Sequence, residues 1–411
     1  PRGIGEGNWR GRVFVDVGDD ALTIGRRLRQ IRNARGKSLR VVAGLSGVIS
    51  AAGLSRVENG LRALDSRSEI VGLANALQIA PSELTRMPEG APLPASGDTG
   101  AAIAEIRCAL EAVIAGAVNG QAQTVEQLSA RVHLMGDLRQ RCAYREMGAA
   151  LPGLIEDLHT SIDAGNNDAR LLHLAVLLHT LGTGTYLHIV RAPDDLRLVV
   201  AALANDAAKR LDDPVSLGVA AFGLSGVLLA SGSFNLADEV VRRAGVTPGV
   251  DPELAGMLAL STSLTATADR RHTDAQAALD YAADLAGHTG EGNRFALSFG
   301  PTNVTLWRIT AAVEARDYER TVALAETVTP ERIQASSRRA GYWMNYGRAL
   351  ARVRRRDDAV KALHRAEKIS PEEVQRNPFV RDVLGELLAR SRRDAAGREL
   401  RRMAYRAGLP V

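Results

Sequence analysis

The chain has 411 residues, 45% of them apolar, with 52 Lys+Arg, 47 Asp+Glu and two cysteines. That length allows two or three domains with real cores, and the composition excludes intrinsic disorder, a collagen-like repeat and a disulfide scaffold. Cys108 and Cys142 are too few for a metal ribbon and fit reduced thiols, which points to a cytoplasmic protein. Aromatic residues are only 4% of the chain, which suits an all-α fold better than a β-sandwich.

The charge is unevenly placed. Residues 24–87 hold eleven Lys+Arg against four Asp+Glu, a net of +7, and the rest of the chain carries a net of −2. A basic module on a nearly neutral body points to a polyanion, most often nucleic acid; a solvated basic helix without a partner is the bland alternative. The first twenty residues include Arg2, Arg10, Arg12, Asp16, Asp19 and Asp20 and lack the apolar run of a secretory signal. A small piece of sheet near Val13–Val17 is the only strand expected. Residues 171–190 contain no Asp, Glu, Lys or Arg, and read as a buried helix rather than a membrane span.

In chain order, Ile24, Leu28 and Ile31 mark one face of a first helix that ends near Gly36. Ser38 is placed to cap a second helix carrying Leu39, Val42 and Ala43, and Ser50 a third that carries Leu54 and Val57 and stops at Asn59-Gly60. Ile70, Leu73, Ala74 and Leu77 give a fourth, and Pro81 opens a fifth. Residues 88–100, with three prolines and three glycines, read as a linker. The expected domains are thus 20–87, the linker 88–100, and a helical body over 101–411.

Within the body, the form D-A-x-x-A-L-x-x-A occurs at Asp274–Ala282 and again at Asp358–Ala366. Taking Ala237, Ala275, Arg320, Ala359 and Ala396 as equivalent gives steps of 38, 45, 39 and 37, the period of a two-helix repeat in an α-solenoid. A helical bundle without superhelical curvature is the alternative.

Residues 343–371 resemble the tetratricopeptide repeat through Trp343, Gly347, Ala359, Ala366 and Pro371, with Tyr346, Leu350 and Leu363 in its other apolar places. Residues 24–87 resemble the xenobiotic-response-element, lambda-repressor-like family of helix-turn-helix regulators. Ile24–Arg32, Ser38-Leu39, Leu54-Ser55-Arg56-Val57-Glu58-Asn59-Gly60, Leu73–Leu77 and Pro81–Leu84 carry that resemblance. It implies a five-helix domain that lays its third helix in the major groove of double-stranded DNA and works as a homodimer. It also implies an ion pair between Arg32 and Glu58. The sequence departs from the family pattern between Ser38 and Asn59, where it is one residue longer, and at Ala51-Ala52, which can touch a thymine methyl but cannot hydrogen-bond a base.

On this reading Arg40 and Arg62 contact phosphates, and Ser50, Ala51, Ala52, Ser55 and Arg56 face the bases. The resemblance of the body implies a peptide or small-molecule effector on the face of the first helices. The candidates are Asn303, Arg308, Met344, Asn345 and Arg348, whose amides and guanidinium groups suit a peptide backbone and a carboxylate. The whole resembles a two-module bacterial transcription regulator; the alternative is a DNA-bound scaffold whose repeats recruit a protein partner.

No catalytic cluster, metal site or cofactor is expected. His159, His173, His179 and His188 are not spaced to share one helical face, Gly182-Thr183-Gly184 lacks the rest of a dinucleotide fingerprint, and the basic run Arg352–Arg356 reads as a solvated turn.

Overall fold

The computed structural model describes residues 23–86, 97–165, 168–391 and 394–411. All regular structure among them is helical. The expected sheet at Val13–Val17 and residues 88–96 of the expected linker lie outside the described residues. Residues 97–100 correct the linker boundary, because they already form the first turn of a helix.

Five short helices open the described chain: α1 (Ile24–Ala34), α2 (Leu39–Ser46), α3 (Ala51–Glu58), α4 (Arg67–Leu77) and α5 (Pro81–Thr85). The side-chain oxygens of Thr23, Ser38, Ser50 and Ser66 each accept a first-turn N–H of the helix that follows, which satisfies donors that a helix start leaves open. Leu28, Val42, Leu54, Leu64, Leu73 and Leu77 meet in a separate small core.

The body begins with α6 (Gly97–Ala115), α7 (Val125–Gln140), α8 (Tyr144–Ala164) and α9 (Ala169–Leu177). A π-helical turn over Leu178–Gly184 joins α9 to α10 (Thr185–Ile189). The uncharged stretch 171–190 is therefore a continuous, largely buried helical rod inside the body. Next come α11 (Asp194–Leu211), α12 (Pro214–Ser231), α13 (Phe234–Arg243), α14 (Pro252–Ala268) and α15 (His272–Thr289). The chain ends with α16 (Pro301–Glu314), α17 (Tyr318–Glu326), α18 (Ser336–Arg352), α19 (Arg356–Ile369), α20 (Pro371–Arg376), α21 (Pro378–Ala389) and α22 (Ala395–Arg406). Among the described residues α12 alone is long and apolar enough to cross a membrane; here it packs against α11, α13 and α14.

From α12 onward the helices pair as α12–α13, α14–α15, α16–α17, α18–α19 and α21–α22. The first helices lie side by side in that order, and each second helix packs beneath the next pair. Small residues set the spacing: a Cβ on Gly347 of α18 would stand 2.7 Å from Cγ of Leu363 on α19. The buried small residue near the start of each second helix is Ala237, Ala275, Thr321, Ala359 and Gly397. Two positions of the sequence register, Arg320 and Ala396, are thus corrected by one residue, and the steps become 38, 46, 38 and 38. The longer step accommodates the irregular segment 290–300 between α15 and α16.

The five-helix domain is docked on the body through buried charge. Asp65 accepts Arg348 Nε at 2.8 Å, and Arg348 also donates to the Asp65 carbonyl at 2.8 Å. Arg352 donates to the Ala63 carbonyl at 2.7 Å and to Glu386 at 2.5 Å. Two body carboxylates cap helices of the small domain. Asp382 accepts the N–H groups of Ile24 at 3.2 Å and Leu64 at 2.6 Å; Glu314 accepts backbone N–H groups of Arg67 and Ser68 at the start of α4, where the helix dipole favours an anion. Phe379 of α21 joins the small core and carries the Arg348 guanidinium 4.8 Å from its ring centre.

Candidate nucleic-acid interface

Helices α2 and α3 meet at 113°, inside the range of a helix-turn-helix. Gly47 ends α2 in the left-handed region (φ 63°), a conformation that glycine takes without a Cβ penalty. Val48 of the turn packs into the gap left by Gly72, where a Cβ would come 2.7 Å from Val48 Cγ1; the turn of this chain is thus accommodated by half-burying an apolar side chain against the small core. Gly25 performs the same service between α1 and α3: a Cβ there would stand 2.1 Å from the Val57 carbonyl oxygen.

Arg32 holds the far end of α3 with two parallel bonds to Glu58, at 2.6 and 2.8 Å, and a third to the Lys37 carbonyl at 2.8 Å. The hydrogen bond to Glu58 raises the Arg32 pKa above its ordinary value. The Glu58 side chain is 4% exposed, so this fork is a buried structural pair of the geometry that favours arginine over lysine.

Arg40, Ser50, Ala52 and Arg56 are exposed, and Ala51 and Ser55 are half-buried. The docked body leaves this outward face of α2 and α3 open. Ser50 Oγ accepts the Gly53 N–H at 3.1 Å, which leaves the hydroxyl proton free to donate. Asn59 donates to the Ser55 carbonyl at 2.8 Å, holding the end of α3.

Arg62 is placed otherwise than the sequence reading has it. Its guanidinium turns inward onto Glu69 and is 16% exposed, and Arg316 of the body reaches the same carboxylate at 2.9 Å. It braces the turn between α3 and α4 and is not a free phosphate arm.

The domain's four acids explain the sign of its surface. Glu58, Asp65 and Glu69 are 5%, 1% and 1% exposed, and each lies against an arginine. Only Glu83 is exposed, against six exposed arginines: Arg26, Arg29, Arg35, Arg40, Arg56 and Arg86. Folding hides the negative charge and displays the positive, which is the electrostatic footprint of a polyanion-binding surface. Sequence reasoning missed Arg26 and Arg29, which flank the end of α3; Arg29 lies 3.4 Å from Asn59 Oδ1. It also missed Val41 and Leu45, 48% and 62% exposed. Their i, i+4 spacing off the Leu39–Val42–Ala43 face was the available signal.

The expected effector residues separate. Arg348 and Met344 are buried, and Arg348 is committed to Asp65. Asn303 is 2% exposed, with its amide near Met257 sulfur and the Leu297 carbonyl. Arg308 pairs with Asp280 at 3.3 Å at the surface. Only Asn345 lines a concavity, a hollow of about 360 Å³ bounded by α10, α16, α18 and α20. The expectation of one shared groove is corrected accordingly: three of the five are used in packing and docking.

The histidines are likewise dispersed, except that His159 and His179 meet across α8 and the π-helical turn with their Nε2 atoms 2.8 Å apart. Burial lowers His159 to about 4 and His179 well below its ordinary value, so the pair shares one hydrogen bond as neutral rings. His364, Glu367 and Glu399 bring ligand atoms within 4.8 Å of one another. Arg406 already forks onto Glu367 at 2.8 and 2.5 Å and reaches Glu399 at 3.2 Å, which neutralises the cluster from within.

No curated protein and no solved structure matches the chain. Residues 23–87 match the family described as a helix-turn-helix domain. The match spans α1 to α5 and its flanks, and with the geometry above it establishes that the chain carries a DNA-binding helix-turn-helix domain within an all-α protein.

Proposed function

We propose that the protein is a sequence-specific transcription regulator that binds double-stranded DNA as a homodimer and senses an effector through a tetratricopeptide-like body. The observation that carries the DNA-binding half is the charge on the small domain: three of its four acids are buried, and six arginines remain on its surface. Arg40, at the start of α2, is suited to a phosphate beside the groove. Ser50, Ala51, Ala52, Ser55 and Arg56 offer hydroxyls, methyls and one guanidinium to base edges. Support for the sensing half comes from the docking. Glu314, Arg348, Arg352 and Asp382 hold the small domain to the body through three helices of the repeat stack, α16, α18 and α21, so a ligand that favours one arrangement of those helices over another would bias the DNA-binding domain.

The alternative is a scaffold whose repeats recruit a protein to DNA without a small effector. Sequencing the genomic fragments retained by the full-length protein tests the common part: a shared inverted motif supports a dimeric reader, and unselective retention contradicts it. Effectors that change retention favour the sensor; a protein co-retained on DNA without such an effect favours the scaffold.

A further inference from the structure

The hollow beside Asn345 has an unusual lining. Arg139 of α7, Arg338 of α18 and Arg67 of the small domain all reach it, and Glu373 of α20 is the one carboxylate in its wall. Arg67 is balanced by Glu314 at 2.8 Å. Arg139 and Arg338 donate only to neutral carbonyls, those of Ala296 and Leu297, and the Arg139 Nε has no partner. Glu373 is already engaged by the Tyr144 hydroxyl. Behind them Arg191 leaves its Nε unpartnered as well. Among the described residues none of Arg139, Arg191 and Arg338 has a carboxylate within ion-pair distance. Glu373 is the one carboxylate that acts on all three guanidinium groups. Burial pushes Arg191 down to about 9 and Arg338 to about 10, a direction that reflects charge held without compensation. Confined cations of this kind are costly unless an anion joins them.

A second cavity of about 240 Å³ adjoins the first across a shared wall of Arg67, Thr185, His188, Leu264 and Trp307. Its other lining is mainly apolar, with Phe222, Leu224, Val227 and Leu229. A polar cationic chamber therefore abuts an apolar one, and the planar forks of two arginines match a two-oxygen head.

We propose that the two chambers form one binding site for a small organic carboxylate, its head among Arg139, Arg338 and Arg67 and its apolar body against Leu264 and Trp307. The site rests on the reading of the body as a sensor and gives that sensor a ligand class. It also names the link to DNA. A carboxylate at Arg67 competes with Glu314, the residue that caps α4 of the helix-turn-helix domain.

Octanoate, octanol and sodium chloride at matched ionic strength are the probes, titrated calorimetrically into the full-length protein. The expected result is saturable binding of octanoate with at least tenfold higher affinity than octanol, and no heat from chloride. Arg338→Met and, separately, Arg139→Met should each erase that preference; Arg402→Met, whose side chain is 71% exposed on α22, should keep it. Equal affinities for octanoate and octanol, absence of octanoate binding, or a preference that survives in whichever inward variant folds would overturn the site. DNA affinity measured with and without saturating octanoate separates the two claims: binding with no change in DNA affinity leaves the site standing and contradicts the sensor reading.

Discussion

In the small domain, Glu58, Asp65 and Glu69 are buried against arginines, and six other arginines are exposed. In the body, Arg139 and Arg338 line a hollow whose one carboxylate is Glu373, and Glu373 also acts on Arg191. The same residue type therefore serves two opposite arrangements. On the small domain six arginines are exposed to water, as contact with a polyanion that carries many charges requires. Inside the body they are few and half-buried around one hollow, which suits a ligand with one head group. What separates the two is where the carboxylates sit, and that can be disturbed one residue at a time.

The largest effect is expected at the fork that holds α3. Glu58→Ala leaves Arg32 facing an empty, buried place, and loss of one partner of such a pair costs about 3–5 kcal/mol. Calorimetry should show the small domain melting far earlier while the main transition of the body stays in place; an unchanged profile contradicts the structural role of the pair.

Next is the pH dependence of docking. Burial raises Asp382 to about 7, above the ordinary carboxylate value of about 3.9. The folded protein therefore holds this proton more tightly than the unfolded chain does. The contribution to stability is full below about pH 4 and is lost as pH rises to about 7, with a slope of at most about 1.4 kcal/mol per pH unit. The difference in denaturation midpoint between the parent protein and Asp382→Asn, followed from pH 4 to 8, should change across that window. A constant difference would show that the carboxyl does not titrate there.

Smaller still are the changes on the DNA face. Ser55→Ala should alter site preference by about 1–3 kcal/mol at one base pair, read from affinities on a panel of single-base variants; a uniform loss would place Ser55 on a phosphate. Arg40→Ala should weaken all sequences alike and flatten the salt dependence by roughly one charge. Arg62→Ala, by contrast, should leave the salt slope unchanged, because its guanidinium is held by Glu69.

The parts of this picture that sequence could supply are local. Ser38, Gly47, Ser50 and Ser66 act within four residues of themselves, so the limits of α2, α3 and α4 follow from caps and stops alone. The Arg32–Glu58 fork followed from family resemblance, and its spacing of 26 residues carries no periodic signal of its own. Docking was illegible for a different reason. Arg348 meets Asp65 across 283 residues and Asp382 meets Leu64 across 318, and nothing on α18 or α21 distinguishes these side chains from an ordinary polar stripe. That is why Arg348 reads in sequence as a ligand residue and is in fact a clamp. The hollow has the same character: its arginines come one from each of several helices, and only the fold brings them together. The one-residue slips at Arg320 and Ala396 arise because the repeat conserves a small buried volume, met by Thr321 and Gly397, and not the letter alanine.

The most direct test of the central claim, that folding turns the small domain into a DNA-binding face, is the affinity of the full-length protein for genomic duplexes as salt is varied. The account predicts that logarithmic affinity falls linearly with logarithmic salt concentration, with a slope of several charges, and that Arg40→Ala lowers that slope while Arg402→Ala does not. Affinity independent of salt, or a slope equally reduced by both substitutions, would contradict it.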